Sequence, residues 1–430
     1  MKELKNLTEE LSKCVKCGTC RSICPTFRII GRESASARGK LTLIDAYLKG
    51  GIGLTEDYYK HIKECAMCGA CRDSCPSGVD TTGIINAARA DAVKKQGLGL
   101  ATDFIFKNVL DSSKLMPFAV KCAAKLQGLF FKDSINENGL ISRFSLPVVG
   151  SNRLLPPLAN KFFLDMPEVK ALRAFKPSTF SKGSQPVKVA FYAGCGVNYL
   201  MPNVGIKSLE AVKKTGAEAL VPDEQVCCGM PAYYMGDVDT AKRLALKNIE
   251  AFEKYDCDYI ATACATCTHG LKNVFKELLS GESPEVRARV DAFCSKVKDI
   301  TELLAGILKY KGDGGAKFAD GQKRIVTYHD PCHLNRNQGI RDEPRELIQT
   351  NKSVVFKQMK FPCSCCGLGG GLSVTNYEVS SAIVKRKADS VKESGAQIVA
   401  TACPGCIVQI KDGLHRYGVD AKVVHVVELL

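Results

Sequence analysis

No uncharged apolar run in this sequence reaches the ~18 residues that a membrane-spanning helix needs, so the chain reads as soluble or peripheral. Its start is rich in lysine and glutamate and has none of the segments of a secretory signal. The 22 cysteines are therefore poorly explained as the disulfides of a secreted protein. No Gly-Lys-Ser/Thr loop and no complete Gly-x-Gly-x-x-Gly in strand-to-helix context occurs, the run Gly369-Gly370-Gly371 included, so no flavin or nicotinamide fingerprint accompanies the cysteines. Acidic residues are outnumbered, 45 against 60 basic, a formal charge of +15 that cluster thiolates would lower. A basic surface suits an acidic partner, an anionic membrane or a nucleic acid. The lack of an aromatic-interleaved basic stripe argues against the last, and no nucleic-acid role is expected. What is present is a chain of 430 residues, enough for about three domains, with its thiols gathered in C-x-x-C patterns that point to metal binding in a reducing compartment.

The run Cys14-x-x-Cys17-x-x-Cys20-x-x-x-Cys24-Pro25 returns as Cys65-x-x-Cys68-x-x-Cys71-x-x-x-Cys75-Pro76, displaced by 51 residues at all four cysteines. This is the signature of a two-cluster bacterial ferredoxin, in which the fourth cysteine of each run ligates the other cluster. Cys14, Cys17, Cys20 and Cys75 are thus expected on one [4Fe-4S] cubane, and Cys65, Cys68, Cys71 and Cys24 on a second. A pair of zinc sites is the bland alternative, disfavoured because zinc sites rarely use a four-cysteine run ending in proline. The spacing predicts helices over 37–49, Leu54–Ile62 and Thr82–Lys95 around the clusters, with Thr8 as N-cap of an opening helix.

A second duplication fills the C-terminal half. Cys195, Cys227-Cys228-Gly229 and Cys264-x-x-Cys267 are matched by Cys332, Cys365-Cys366-Gly367 and Cys403-x-x-Cys406, one folding unit used twice. Five thiols per copy exceed what zinc or a cubane requires, which points to an iron-sulfur centre of unusual ligation or to four ligands plus a reactive thiol. Buried cysteine used as a small hydrophobe is the bland alternative. Short apolar strands at Val187–Tyr192, Ala219–Val221, Tyr259–Ala261, Arg324–Tyr328, Ser353–Phe356 and Ile398–Ala400 alternate with helices, which predicts parallel sheets with the thiols just past strand ends.

Between these halves, Leu100–Leu110 and Leu115–Phe131 read as helices apolar on more than one face, a packed connector or a docking surface for a partner subunit or membrane. Cys122 reads as a core residue, and Lys176–Pro186 as the clearest boundary. The chain is thus expected to be an α+β multidomain protein: a mainly helical two-cluster ferredoxin domain over 1–97, a helical connector and docking region over 98–186, and two duplicated α/β cysteine-rich domains over 187–310 and 322–430.

Paired ferredoxin runs followed by two such repeats resemble the iron-sulfur subunits of glycolate and D-lactate oxidases or dehydrogenases, and their relatives among the heterodisulfide reductases. The resemblance covers most of the chain. Arg38-Gly39-Lys40 before a Leu-Thr-Leu-Ile helix, and Cys75-Pro76-Ser77-Gly78-Val79, look like the hydroxy-acid branch. The complete five-thiol sets look like the heterodisulfide reductase branch, whose repeats hold noncubane four-iron clusters. The resemblance therefore implies one noncubane cluster on Cys195, Cys227, Cys228, Cys264 and Cys267, and another on Cys332, Cys365, Cys366, Cys403 and Cys406. It implies an electron-transfer subunit of a heteromeric complex with an FAD-containing dehydrogenase subunit and a membrane- or quinone-linked acceptor, cytoplasmic or peripheral on the cytoplasmic face. The alternative it carries is a heterodisulfide-reductase-like catalytic subunit that reduces a disulfide at a noncubane cluster. Cys363 is an additional thiol beside the second pair, in the core or next to the ligands. His329, Asp330 and His333 surround Cys332, where a histidine is as apt to donate a hydrogen bond as to carry protons. His269 has no aligned counterpart in the second copy, and no catalytic residue is assigned.

Overall fold

The computed structural model describes residues 3–112, 114–134, 139–144, 153–173, 186–312, 314–315, 318 and 320–430. Each ferredoxin run begins with a loop that coils left-handed: Lys16 and Met67 occupy equivalent positions at φ 56° and 49°, and each is followed by a glycine of positive φ, Gly18 and Gly69. The loop turns its thiols to one side, and a short helix, Thr19–Ile23 or Ala70–Asp73, carries the third cysteine. Three longer helices support them: Ala37–Leu48, Glu56–Lys63 and Thr81–Gln96, capped by the side chains of Ser36, Thr55 and Asp80. Their apolar faces meet in one core containing Leu41, Ile44, Tyr58, Ile62, Ile84 and Ile85. Thr8 does not cap the first helix. A 3₁₀ turn over Leu4–Leu7 precedes that helix, Leu7 takes the cap position, and the Thr8 hydroxyl donates back to the Lys5 carbonyl at 2.9 Å.

One buried cation joins this domain to both repeats. The Arg89 guanidinium donates to the carbonyls of Ile62, Lys63 and Cys65 within the ferredoxin domain, to Tyr234 in the first repeat at 2.7 Å and to Gly370 in the second at 2.9 Å. The planar fork of arginine allows five carbonyls to converge on one side chain.

In the connector, Leu100–Phe104 passes into a π turn over Ile105–Val109, and the helix Leu115–Phe130 follows with none of its residues buried. Strands β1 (Phe131–Asp133) and β2 (Leu140–Ser142) form an antiparallel pair. Cys122 lies exposed on the long helix, which corrects the expectation of a core residue: that helix has its apolar side chains outward. The boundary expected at Lys176–Pro186 falls almost wholly outside the described residues. Among the described residues, no helix is long and apolar enough to cross a membrane.

The first repeat contains β3 (Lys188–Tyr192), β4 (Glu218–Leu220), β5 (Tyr259–Thr262) and β6 (Val297–Asp299), a parallel sheet of order β4-β3-β5-β6. The second contains β7 (Arg324–Tyr328), β8 (Val354–Phe356), β9 (Ile398–Thr401) and β10 (Lys422–His425), ordered β10-β9-β7-β8. The two orders are the same topology read from opposite edges, so the duplication extends to the fold. Helices Val238–Glu253 and Tyr377–Ser394, capped by Asp237 and Asn376, cover corresponding places. The glycine of each Cys-Cys-Gly turn has positive φ and close neighbours: a Cβ on Gly229 would press on Ala241 at 3.3 Å, and one on Gly367 would clash with the Ser380 carbonyl at 2.5 Å. The sheets approach each other at their C-terminal ends, where the Ala265 N–H donates to the Ala402 carbonyl at 3.1 Å.

Candidate metal centres

In the ferredoxin domain the cysteines sort into two cavities. Cys14, Cys17, Cys20 and Cys75 line one, and Cys24, Cys65, Cys68 and Cys71 line the other, with Cys71 also reaching the wall of the first. Each fourth cysteine therefore stands with the other run's thiols. The donor chemistry fits iron-sulfur clusters: hydroxyls of Thr19, Thr26 and Thr81 lie 3.4, 3.1 and 2.9 Å from the sulfurs of Cys17, Cys24 and Cys71. Backbone N–H groups of Phe27 and Met67 donate to the sulfurs of Cys24 and Cys65. The triplet Arg38-Gly39-Lys40 supplies one cation to each cavity. Arg38 lines the first, anchored by Glu33 at 2.8 Å and the Lys16 carbonyl at 3.0 Å. Lys40 lines the second, its ammonium held by the Ser34 and Ala35 carbonyls at 2.9 Å. Gly39 between them leaves no space, since a Cβ there would sit 2.0 Å from the Glu33 carbonyl oxygen. The two cavities differ in setting. Cys17 is exposed at the outer one, whereas Cys68 at the inner one is buried against the second repeat.

The ten repeat thiols form one line. Sulfur contacts run from Cys195 to Cys227, to Cys228, to Cys267 at 3.5 Å and to Cys264. From Cys264 the line crosses between repeats to Cys403, then to Cys406, to Cys366 at 3.6 Å, to Cys365 and to Cys332. Cys365 and Cys332 both contact Cys68 of the inner ferredoxin cavity. In the first copy the Cys267 thiol donates to the Cys228 sulfur, and hydrogen bonds with Cys227 and Cys267 hold Cys228 well below the usual thiol range; in the second, hydrogen bonds with neighbouring thiols hold both Cys366 and Cys403 below it. Converging thiols of this number suit a multi-iron centre.

The surroundings of the two copies diverge. Cys195 and Cys227 open onto a cavity of about 310 Å³ shared with the connector residues Met116 and Pro117 and with Asn198, Tyr199 and Arg173. In the second copy, Cys365 faces a pocket of about 370 Å³ whose wall includes Arg28, Arg336, Lys360 and Arg386. Arg336 donates to the Cys332 sulfur at 3.4 Å and to the Cys363 carbonyl at 2.7 Å. The Gly369-Gly370-Gly371 run also has its reason here. A Cβ on Gly369 or Gly370 would lie 2.4 or 2.3 Å from the Ala66 or Cys65 carbonyl, so the glycines let the second repeat meet the inner cluster loop backbone to backbone.

Cys363 stands beside the thiol line, accepting from Asn335 at 3.2 Å and donating to Asp330 at 3.4 Å. Asp330 is paired in turn with Arg345 through both oxygens at 2.9 and 2.8 Å. His333 bridges Tyr234 and Thr266, both at 3.0 Å, and stacks on His269. His329 is fully buried, and burial holds its imidazole below its ordinary pKa, in the neutral form. Sequence reasoning missed Arg89 and Lys387 as contributors. Lys387 is buried, its pKa lowered by burial to about 8, and it donates to the Phe361 and Pro362 carbonyls ahead of the second cysteine pair. Cations inside amphipathic helices look like ordinary surface residues in a sequence, and only Arg38-Gly39-Lys40 stood out as a motif.

Comparison with known proteins agrees with this layout. The cysteine-rich domain family, CCG, matches residues 189–272 and 326–411, and the 4Fe-4S dicluster domain matches residues 10–79. The probable glycolate oxidase iron-sulfur subunit of Bacillus subtilis is 31% identical over 429 residues, covering 98% of this chain and 93% of that protein. A subunit of the fumarate reductase (CoM/CoB) of Methanothermobacter marburgensis is 30% identical, over 98% of this chain and 72% of that protein. Lactate utilization protein A of Bacillus cytotoxicus is 34% identical over 57% of this chain and 98% of its own length. A solved structure of a hypothetical protein from Helicobacter pylori covers 99% of this chain and 72% of its own, with a TM-score of 0.52 and 9% identity, a likeness of fold alone.

Proposed function

The chain belongs to the glycolate oxidase iron-sulfur subunit family, and we propose that in that role it passes electrons for a separate flavin-containing 2-hydroxy-acid dehydrogenase and does not itself oxidise the hydroxy acid. The observation that carries this reading is the unbroken line of thiols from Cys195 to Cys332 that ends on Cys68 of the inner ferredoxin cavity. Clusters bound along it supply a one-electron relay between donor and acceptor. Cys14, Cys17, Cys20 and Cys75 would hold one cubane, and Cys65, Cys68, Cys71 and Cys24 the second. The five thiols ending at Cys267 and the five ending at Cys406 would hold two further four-iron centres of noncubane type. Arg38 and Lys40 offset negative charge at the two cubane cavities. Relatives named for glycolate oxidase and lactate utilization favour hydroxy-acid chemistry over reduction of a disulfide.

The connector supports a heteromeric complex. Phe118, Leu126 and Leu129 on its long helix are more than half exposed, with Leu100 and Phe104 beside them in sequence order. Such a face suits the flavoprotein partner, with a membrane- or quinone-linked acceptor on the cytoplasmic side completing the path. Purified alone, the chain is expected to show no turnover of glycolate or D-lactate with an artificial acceptor. Robust turnover without a flavoprotein would overturn the reading. Anaerobic preparations should contain about sixteen irons, and Cys228→Ala and Cys366→Ala should each lose about four while both ferredoxin signals survive. About eight irons in the wild type, with spectra indifferent to either substitution, would remove the centres from the repeats.

A further inference from the structure

Strand register aligns the two repeats residue by residue at their thiol ends. Tyr192 pairs with Thr262, and Tyr328 pairs with Ala400, the residue before Thr401, so His329 takes the place in the second repeat that Tyr192 takes in the first. Both stand three residues before the first cysteine of their set, Cys195 or Cys332. The two side chains meet different fates. The Tyr192 hydroxyl donates to the Val226 carbonyl at 2.6 Å and is satisfied. His329 has no exposed surface, and among the described residues neither of its ring nitrogens has a nitrogen or oxygen hydrogen-bond partner, the Cys366 sulfur being the one polar atom its ring hydrogen-bonds. A buried imidazole whose nitrogens meet no nitrogen or oxygen requires an explanation.

The surrounding polar groups do not supply one. Asp330 is committed to Arg345, and the Lys387 ammonium to the Phe361 and Pro362 carbonyls. What His329 does face is sulfur: a ring nitrogen and the sulfurs of Cys366 and Cys406 all lie within 4.8 Å of one another, all three residues buried. We propose that His329 is a nitrogen ligand of the second repeat's iron centre, sharing it with Cys366 and Cys406, whereas the first repeat's centre has thiolate ligands only. This rests on the reading that the second repeat holds an iron centre. Neutral imidazole brings no negative charge, and at an iron position that it takes from one of the five thiolates it raises the cluster potential. The second repeat's centre therefore reduces at a higher potential than the first's. His333 is not a second such ligand, because Tyr234 and Thr266 occupy both of its nitrogens.

The test is pulsed paramagnetic resonance on anaerobically purified full-length protein labelled with ¹⁵N-histidine, beside His329→Tyr and His333→Gln variants. His329→Tyr installs the residue that the first repeat already accommodates in this place. The expected result is a histidine-nitrogen coupling on a non-ferredoxin signal, lost in His329→Tyr and retained in His333→Gln, with that centre's potential lowered in His329→Tyr. A non-ferredoxin signal without histidine-nitrogen coupling, or a coupling that survives in His329→Tyr, overturns the ligand assignment and leaves the iron centre standing. A wild type of about eight irons with ferredoxin signals only overturns the iron centre itself, and the ligand with it.

Discussion

At three equivalent buried positions the two cysteine-rich repeats carry different chemistry: Tyr192, Asn248 and Asp299 in the first, His329, Lys387 and His425 in the second. The pairing of Asn248 with Lys387 follows from their equal distance from the capping residues Asp237 and Asn376. That of Asp299 with His425 follows from strand register, through Thr262 and Thr401. Asn248 and Lys387 perform the same task, holding backbone carbonyls at or just ahead of the cysteine pair, but only the second brings a cation. The comparison teaches that the duplicated frame specifies where thiols converge, while a few buried side chains decide the charge around them. Position reinforces the difference, since the first set opens towards the connector and the second packs against the inner ferredoxin cavity beside a basic pocket.

The largest expected effect comes from the residue that ties both repeats to the ferredoxin domain. Arg89→Met removes the guanidinium donor from the carbonyls of Ile62, Cys65, Tyr234 and Gly370, the Lys63 carbonyl keeping the Cys65 N–H; at roughly 1 kcal/mol or more each, the full-length protein should lose at least about 4 kcal/mol of stability. A urea midpoint unchanged from wild type would show that the repeats and ferredoxin domain do not depend on this residue.

Next in size is a pH effect that should have opposite sign in the two repeats. Burial raises the Asp299 carboxyl from 3.8 to about 7. Between those values the folded state binds more protons than the unfolded one, so stability falls as pH rises from about 4 to 7, by up to about 4 kcal/mol. Burial lowers His425 from 6.5 to about 4. There the unfolded state binds more protons, and stability rises over that interval. Asp299→Asn should remove the falling component alone, so melting temperature against pH should tilt upward relative to wild type. Parallel profiles for the two proteins would contradict the burial assigned to Asp299.

Gly370→Ala tests the contact that only the second repeat makes. A Cβ there would lie 2.3 Å from the Cys65 carbonyl at a φ of +66°, and a cost of about 3 kcal/mol with disturbance of the inner cubane's spectrum is expected. Gly216→Ala in the first repeat, at φ +82° with open space around it, should cost only about 1 kcal/mol. Equal costs would mean that the second repeat does not press on the cluster loop. The smallest effect on stability belongs to the connector beside the first repeat. Phe118→Ser combined with Leu129→Ser, at 63% and 65% exposure, should change stability by less than about 0.5 kcal/mol and yet reduce co-purification of the flavoprotein partner. Undiminished co-purification would place docking elsewhere.

Much of this molecule could be read from its residues. Helices over 37–49 and Thr82–Lys95 were expected and occur as Ala37–Leu48 and Thr81–Gln96, because capping and apolar periodicity are local. The short strands of both repeats were legible for the same reason, except β6 and β10, three and four residues long, which are too short to carry an apolar pattern of their own. Cys122 and Thr8 were misread because apolar or capping character does not reveal which way a helix faces, or that a 3₁₀ turn precedes it.

By itself, the sequence determined the ligand-bearing loops: cysteine spacing, the glycine after a cysteine and the residue of positive φ before it act within a few bonds, and the duplications record them twice. Which thiols of distant segments meet was decided only by tertiary structure. Cys68 reaches Cys332 and Cys365, Cys264 reaches Cys403, and His329 comes to face Cys366 and Cys406. Those meetings follow from the packing of the two sheets on each other and from the Arg89 tie and the glycine contact at the ferredoxin loop, and no local spacing encodes them.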